Sequence, residues 1–227
     1  DDEHDERRKV DAAEARQEAA DRAIDRLGQL VERAADGGDH LIVRDMRTGD
    51  VVGTYRILPP ERARQIGYYS ENEFDLTRLQ HLRPRLVEIG RSCVHPDYRS
   101  GATITLLWAG LAQYMTERGY DYLMGCASIS MADGGHVAAS LYHRLAPDHL
   151  GPQEYRVFPR CPLPLAALQH DRPADTPPLI KGYLRAGAWI CGEPAWDPDF
   201  NTADLPILMP MAKVSGRYAR HYLGQEN

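Results

Sequence analysis

The pattern of apolar and polar residues predicts a series of short strands and helices from His40 onward. Two β-rich runs, 40–44 and 51–58, flank the turn sequence Arg47-Thr48-Gly49-Asp50, which predicts an antiparallel hairpin. The second of these strands should end at the prolines that follow it, residues 59 and 60. Residues 86–94 form a third predicted strand, and 95–101 form a turn.

Helical spacing then alternates with further strands. Apolar residues between Ile104 and Met115 recur at three and four positions, which predicts a helix capped by Gly119. The run 122–129 is apolar throughout and therefore predicts a central strand. A second helix, 137–145, should be closed by Pro147. A helix at 179–186 and strands at 188–191 and 205–208 follow, and the whole order indicates one α/β domain.

The front of the chain differs in pattern and in charge. Residues 12–36 have the composition and the narrow apolar stripe of a solvated helix, with a docked helix as the alternative. Residues 1–39 carry 13 acidic and 7 basic side chains, which accounts for the whole net charge of −6. We therefore expect an acidic helical segment at 1–39 and a neutral domain at 40–227.

Composition excludes several classes of protein. The sequence has no apolar run of about 18–20 residues and no secretory signal pattern, so we expect a cytoplasmic protein. The four cysteines are never spaced as Cys-x-x-Cys, which disfavours zinc ribbons and a disulfide scaffold. His95, His136 and His143 have no matching ligand set, so no metal site is expected. The neutral domain argues against nucleic-acid binding.

Glu88 is the first candidate for chemistry. In an alternating strand it shares a face with Gly90, Ser92 and Val94, whereas Arg91 lies on the other face. A carboxylate in an apolar strand is costly to bury, so it is either paired structurally or used for proton transfer. Beyond this strand the residues 99–101 begin a helix, whose free amides and dipole form an anion site.

Several segments carry a family resemblance. The run Val87-Glu88-Ile89-Gly90-Arg91-Ser92-Cys93-Val94-His95-Pro96-Asp97-Tyr98-Arg99-Ser100-Gly101, with Gly53-Thr54-Tyr55-Arg56, is similar to the GNAT superfamily of N-acyltransferases. Segments 125–129, 133–136, 155–164 and 192–197 resemble one branch of it, the ornithine-lipid acyltransferases and long-chain N-acyl amino acid synthases. The resemblance covers about residues 40–224. It implies an α/β fold with a mixed central sheet, flanked by helices, whose fourth and fifth strands splay apart.

The resemblance also implies a reaction. The donor would be a 3-hydroxy fatty acyl group on acyl carrier protein, with its phosphopantetheine between the splayed strands. The acceptor would be the α-amine of ornithine, and the product a lyso-ornithine lipid. Counted from Arg99, the glycines of the acetyl-CoA loop fall on Ala102 and Ile104, which favours a carrier protein over acyl-CoA as donor. No bound cofactor is implied, and a lipid product implies peripheral contact with the inner face of the membrane.

Residue roles follow from the same resemblance. Glu88 would accept a proton from the attacking ammonium, and Tyr142 would protonate the departing thiolate, with no covalent acyl-enzyme. A core position is the alternative for Tyr142. The acyl-pantetheine would be held by Cys93, Val94, Arg99, Ser100 and Gly101.

The acceptor and the docking partner complete these expectations. Glu193 and Asp204 would bind the acceptor. Arg91 would either bind its carboxylate or orient Glu88, and a purely structural role suits Arg91 equally well. Asp197 and Asp199 extend the acidic group, and solvated turns explain these two equally well. The predicted docking groups for an acidic carrier or anionic lipid are Arg156/Arg160, Lys181/Arg185 and Lys213/Arg217/Arg220.

Two other functions stay open on the sequence. One is an acetyl-CoA-dependent acetyltransferase of a small amine, and the other is a non-catalytic module that binds acyl carrier protein or lipid. The first strand and early helices of the family are not recognisable in residues 1–39, where we predict no strand.

Overall fold

The computed structural model describes residues 27–33, 38–99 and 101–214. Within them the chain forms ten strands, six α-helices and four 3-10 helices. The strands are β1 (Leu27–Arg33), β2 (Asp39–Asp45), β3 (Val51–Leu58), β4 (Phe74–Asp75), β5 (Leu86–Val94), β6 (Tyr122–Ser130), β7 (Phe158–Pro159), β8 (Trp189–Ile190), β9 (Ala195–Asp197) and β10 (Thr202–Pro210). The α-helices are α1 (Pro60–Ile66), α2 (Ser70–Glu73), α3 (Ala102–Arg118), α4 (His136–His149), α5 (Pro178–Arg185) and α6 (Met211–Val214). The 3-10 helices are Thr77–Arg85, Pro96–Tyr98, Gln153–Tyr155 and Leu165–Ala167.

The described residues divide into two compact units, which lie within 1–57 with 91–114 and within 58–90 with 115–227. In the first unit β1 pairs antiparallel with β2, β2 pairs antiparallel with β3, and β3 neighbours β5. The predicted hairpin and its end before Pro59 are therefore confirmed. Helix α3 approaches β3 closely at Gly53, where a Cβ atom would lie 2.5 Å from the Thr103 methyl carbon.

The helix predicted over 12–36 is wrong for residues 27–33, which form β1, and its other residues lie outside the described ranges. The expectation of no strand before residue 40 is wrong for the same reason. All seven residues of β1 pair with β2, and Glu32 forms an ion pair with Arg44 across the two strands. Pairing with a neighbouring strand thus overrides a weak helical spacing, because half-buried apolar residues satisfy either structure.

In the second unit β10 pairs antiparallel with β6 over nine positions and also pairs with β8 and β9. Strands β5 and β6 are parallel, so the sheet is mixed as predicted. Each has nine residues, yet their pairing covers only three positions, from Leu86↔Tyr122 to Glu88↔Met124. Counted along the main sheet they are the fourth and fifth strands, which confirms the predicted splay.

The remaining elements follow the sequence with small corrections. The predicted helix closed by Pro147 instead continues through it to His149, where the amide of Leu150 bonds to the Ala146 carbonyl. Pro147 has no amide hydrogen to donate to the carbonyl of His143, so this turn of α4 has one backbone hydrogen bond fewer. No helix within the described ranges combines the length and the apolarity needed to cross a bilayer.

Candidate active site

Glu88 is a buried carboxylate at the end of the paired part of β5, where it is 2% exposed. Its Oε1 atom accepts hydrogen bonds from the amide and the hydroxyl of Ser70, at 2.8 and 2.6 Å. Its Oε2 atom accepts one from the amide of Tyr69 at 2.8 Å. Buried carboxylates are costly unless their oxygens are hydrogen-bonded. These donors account for the presence of Glu88 in an apolar strand.

The sequence motifs do not indicate that the segment at residues 69–70 binds Glu88. Residues 70–73 have the Ser-x-x-Glu pattern of a helix start, which is the signal that could have located α2. In the structure the Ser70 hydroxyl donates to Glu88 and does not cap its own helix. A partner on another strand is invisible to such a local pattern. The same segment is also fixed by Tyr68, whose hydroxyl donates to the Leu86 carbonyl at 2.8 Å.

Tyr69 connects this segment to acidic residues near β9. Its hydroxyl donates to Oδ2 of Asp197 at 3.0 Å. The Oδ1 atom of Asp197 accepts bonds from the amides of Asp199 and Phe200, at 2.9 and 3.1 Å. Asp197 is 4% exposed, so the solvated-turn interpretation is wrong for it, whereas Asp199 is exposed.

Asp204 lies in β10 opposite Ser128 of β6 and is 2% exposed. Burial raises its pKa, the hydrogen bonds from Ser128 and Thr202 lower it, and the charge of Asp197 raises it again. Half-buried Glu73 of α2 has a raised pKa because of burial first and then the charges of Asp197, Asp204 and Asp199. Glu73, Asp197, Asp199 and Asp204 therefore form one acidic cluster. The predicted cluster contained Glu193 in place of Glu73.

The acidic cluster has no cationic partner within the described residues, where none of its four members forms a salt bridge. Carboxylates that face one another without a counter-charge raise one another's pKa, and a bound cation relieves that repulsion. No set of three or more histidine, cysteine or acidic side chains in the described ranges is arranged to hold a metal ion. An organic ammonium group matches the charge of the cluster.

Tyr142 lies in α4 and is 9% exposed. Burial raises the pKa of its phenol, the charge of Glu193 raises it further, and Arg156 lowers it. The phenol therefore carries its proton at neutral pH. Glu193 thus acts through its charge on Tyr142, whereas Asp204 is influenced by the charge of Asp197. The two acidic residues predicted to bind the acceptor have different surroundings.

The residues predicted to hold the donor lie in the first unit, at the end of β5 and the start of α3. Cys93 is exposed and Val94 is half-buried, and the carbonyl of Val94 accepts a hydrogen bond from Nε of Arg99 at 3.1 Å. Gly101 has a φ of +103°, a conformation that favours glycine. Ser100 lies outside the described residues.

This donor loop is attached to the hairpin of the same unit. The hydroxyl of Tyr98 donates to Oδ2 of Asp45 at 2.7 Å, and Asp45 is fully buried. The amide of His95 donates to the Val52 carbonyl at 2.8 Å. The loop before α3 is therefore held in a defined shape.

Arg91 interrupts β5 with a φ of +52°, a left-handed conformation that is uncommon outside glycine. The four residues 86–89 are all buried, whereas the three residues 91–93 are all exposed. Exposure therefore does not alternate along β5. Its first half is covered on both sides, and the turn of the backbone at Arg91 breaks the two-residue period.

The second unit also contains a small apolar cavity. It is lined by Ser70, Phe74, Met124 and Val157 among others, and its volume is about 10 Å³. Such a volume is at the lower limit for a single water molecule. It does not accommodate a fatty acyl chain without movement of the lining side chains.

Comparison with known proteins assigns the chain to a family. The profile of the acetyltransferase (GNAT) domain matches residues 7–109, and so runs across the predicted boundary between residues 39 and 40. The L-ornithine N(alpha)-acyltransferase of Rhodobacter capsulatus is 39% identical over 198 residues, which are 81% of this chain and 75% of that protein. The enzyme of the same name from Brucella abortus is 35% identical over 212 residues, 83% of this chain and 73% of that protein.

Solved structures are more distant. A CoA-dependent acyl-homoserine lactone synthase, BjaI, with MTA aligns over 84% of this chain and 67% of that chain, with a TM-score of 0.46 and 14% identity. The assignment rests on the curated relatives, which match most of both chains and carry one name. The chain therefore belongs to the L-ornithine N(alpha)-acyltransferase family of GNAT acyltransferases.

Proposed function

We propose that this protein transfers a 3-hydroxy fatty acyl group from acyl carrier protein to the α-amine of ornithine, giving a lyso-ornithine lipid. Four relatives named L-ornithine N(alpha)-acyltransferase, 35–39% identical, support acyl transfer and this acceptor. One observation of the structure supports a diamino acid as the acceptor. It is the acidic cluster, two of whose carboxylates are buried without a cation among the described residues.

The reaction exchanges a thioester for an amide. The α-ammonium loses one proton, the amine attacks the thioester carbonyl, and the C–S bond breaks as the C–N bond becomes an amide. The nitrogen loses its second proton, and the thiolate takes up one. One turnover therefore yields the amide, the free thiol of the carrier and one proton in solution.

Two residues are proposed for the proton transfers. Glu88 accepts the proton of the ammonium, directly or through water, because an amine of pKa near 9–10 is mostly protonated at neutral pH. Tyr142 gives its proton to the departing thiolate, and its raised pKa keeps that proton available. No covalent acyl-enzyme forms. Burial raises the pKa of the Cys126 thiol, which disfavours the thiolate that a nucleophile requires.

The acceptor is bound through charge. The side-chain ammonium of ornithine lies in the acidic cluster, where Asp204 and Glu73 supply negative charge with raised pKa values. Arg91 and Glu193 keep their proposed roles as acceptor ligands. Both side chains are exposed to solvent.

The acyl donor is bound by a different set of residues. Arg99, Gly101 and the start of the 17-residue α3 support a phosphate site, together with Cys93 and Val94 at the end of β5. The loop lacks the glycines of the acetyl-CoA pattern at 102 and 104, which favours a carrier protein over acyl-CoA. Lys181 and Arg185 are exposed four residues apart on α5 and are proposed to dock the acidic carrier. Peripheral contact with the membrane would deliver the lipid product.

The test is a direct assay of the full chain. The protein is incubated with ornithine and either 3-hydroxyacyl carrier protein or acetyl-CoA, and the products are separated by mass. We expect an N-acylated ornithine from the carrier donor and little acetylornithine. Fragmentation of the product then distinguishes the α-amide from the amide of the side-chain nitrogen.

Other outcomes decide between the alternatives. A product from acetyl-CoA and none from the carrier donor would replace our proposal with an acetyltransferase. Measurable carrier binding without turnover of either donor would favour a non-catalytic binding module.

A further inference from the structure

We propose that Tyr69 is a positioning residue that selects a diamino acid acceptor by fixing the orientation of Asp197. The inference rests on the proposed function, since it concerns how the side-chain ammonium of ornithine is recognised. Neither the residue motifs of the family resemblance nor the acidic residues of the sequence pointed to Tyr69.

Tyr69 is fixed at both ends. Its amide donates to Oε2 of Glu88 at 2.8 Å, and its hydroxyl donates to Oδ2 of Asp197 at 3.0 Å. The neighbouring Ser70 adds two more bonds to Glu88, which fixes the backbone from which the Tyr69 side chain extends. A tyrosine side chain has only two rotatable bonds before its ring, so an anchored backbone and an anchored hydroxyl leave it one orientation. Tyr69 is therefore a rigid spacer between the two carboxylates.

The hydrogen bonds of Asp197 show how Tyr69 affects the orientation of the Asp197 carboxylate. A carboxylate offers about four acceptor positions, two on each oxygen. Both positions of Oδ1 are used by the amides of Asp199 and Phe200, and one position of Oδ2 is used by Tyr69. Among the described residues, no second donor occupies the other position on Oδ2. The direction of that position is set by the bond from Tyr69.

This arrangement has a consequence for substrate choice. If the α-amine lies near Glu88 and the side-chain ammonium lies near Asp197, the distance between the two nitrogens of the acceptor must match the distance between these two carboxylates. Tyr69 maintains that distance. Without the hydroxyl, Asp197 keeps its bonds to the two amides but loses the donor that orients Oδ2. Binding of the side-chain ammonium should weaken, and the chemical step at the α-amine should not.

The experiment compares Tyr69→Phe with wild-type protein, using ornithine and norvaline as acceptors and the same acyl carrier donor. Norvaline has the carbon skeleton of ornithine and lacks the side-chain amine. We expect the KM for ornithine to rise about tenfold in Tyr69→Phe, which corresponds to about 1.4 kcal/mol. The kcat should change less than about threefold, and kcat/KM for norvaline should stay at its wild-type value.

Tyr68→Phe is the matched control. The Tyr68 hydroxyl donates to the Leu86 carbonyl at 2.8 Å, so this variant removes a buried hydrogen bond one residue away. We expect it to lower the melting temperature and to leave the ratio of kcat/KM for ornithine to kcat/KM for norvaline unchanged. A merely structural role of Tyr69 would give the two variants the same kinetic profile, and that result overturns the proposal.

A second result would also overturn it. An unchanged KM for ornithine in a folded Tyr69→Phe protein removes Tyr69 from acceptor recognition while the proposed function stands. Absence of any acylated ornithine from wild-type protein, by contrast, refutes the proposed function itself and this role with it.

Discussion

Ser70 donates two hydrogen bonds to one oxygen of Glu88, from its hydroxyl at 2.6 Å and from its amide at 2.8 Å. A strand residue and the first residue of a helix are thereby joined through a buried carboxylate. The carboxylate is suited to this position because all its oxygens are acceptors. Glu88 therefore stabilises the fold in addition to the proton transfer proposed for it. Stability measurements and kinetic measurements report on the two roles separately.

Glu88→Gln should lower kcat by at least about 100-fold, because a carboxamide cannot accept the proton of the ammonium. It should also lower the free energy of unfolding by about 1–3 kcal/mol, because the NH2 group of the glutamine side chain would face a backbone N–H and could not accept its hydrogen bond. Single-turnover rates and thermal melts measure the two effects. Glu154→Gln, at an exposed position, serves as the control. A folded Glu88→Gln protein with wild-type turnover would remove Glu88 from the chemistry.

Tyr142→Phe should reduce kcat by roughly 100-fold if the phenol protonates the thiolate. The KM for ornithine should change little, because the acidic cluster is untouched. The measurement is steady-state kinetics with carrier-bound donor, and Tyr183→Phe on α5 is the buried control. An unaffected kcat would identify Tyr142 as a core residue.

Glu73→Gln should change stability and binding in opposite directions. The raised pKa of Glu73 means that the folded state holds its proton more tightly than the unfolded state does. Its contribution to stability is therefore present at acid pH and is lost as the pH rises above the ordinary glutamate value of 4.5. At neutral pH the variant should melt at a higher temperature than wild type and have a several-fold higher KM for ornithine.

The pH dependence of this variant is the internal control. The difference in melting temperature should shrink as the pH is lowered toward 4.5, because wild-type Glu73 then becomes protonated. A lower melting temperature at neutral pH together with an unchanged KM would contradict both the electrostatic cause and the binding role.

Gly125→Ala should destabilise the second unit by about 1–3 kcal/mol. A Cβ atom at Gly125 would lie 2.5 Å from the carbonyl oxygen of Ile89, which belongs to the backbone and cannot rotate away. Gly90→Ala is the matched control on the neighbouring strand, because its added Cβ has no atom within 4 Å. Urea denaturation compares the two. Equal midpoints for both variants would show that the strands adjust to the added carbon.

Reversing the charge of Lys181 and Arg185 together should raise the KM for the acyl carrier donor several-fold. Both side chains are exposed on α5, and complementary charge increases the rate of encounter with an acidic partner. The KM for ornithine should stay constant, and the effect should diminish at high salt. Equal KM values for the donor at low salt would place the carrier on another surface.

The hairpin, β5, α3 and β6 were predictable from sequence because their apolar periods are strong and their ends carry proline, glycine or turn signals. Strand β1 was not, because the spacing of Leu27, Leu30 and Val31 satisfies a helix and a paired strand alike. Its identity depends on β2, with which all seven of its residues pair. The exposure of Arg91 was not predictable from the sequence either, because composition does not indicate that a single residue adopts a left-handed conformation.

The sequence by itself determined the fold class, the family and the candidate residues that lie within ordered motifs, such as Glu88 and the loop at 99–101. Those properties depend on residue type and local spacing. Only the tertiary structure decided which residues meet Glu88, and it showed that Asp197 is buried and that Glu73 belongs with Asp204. These relationships join β5, α2, β9 and β10. Hydrogen bonds and charge interactions act between atoms close in space, and no local pattern records which distant segments the fold brings together.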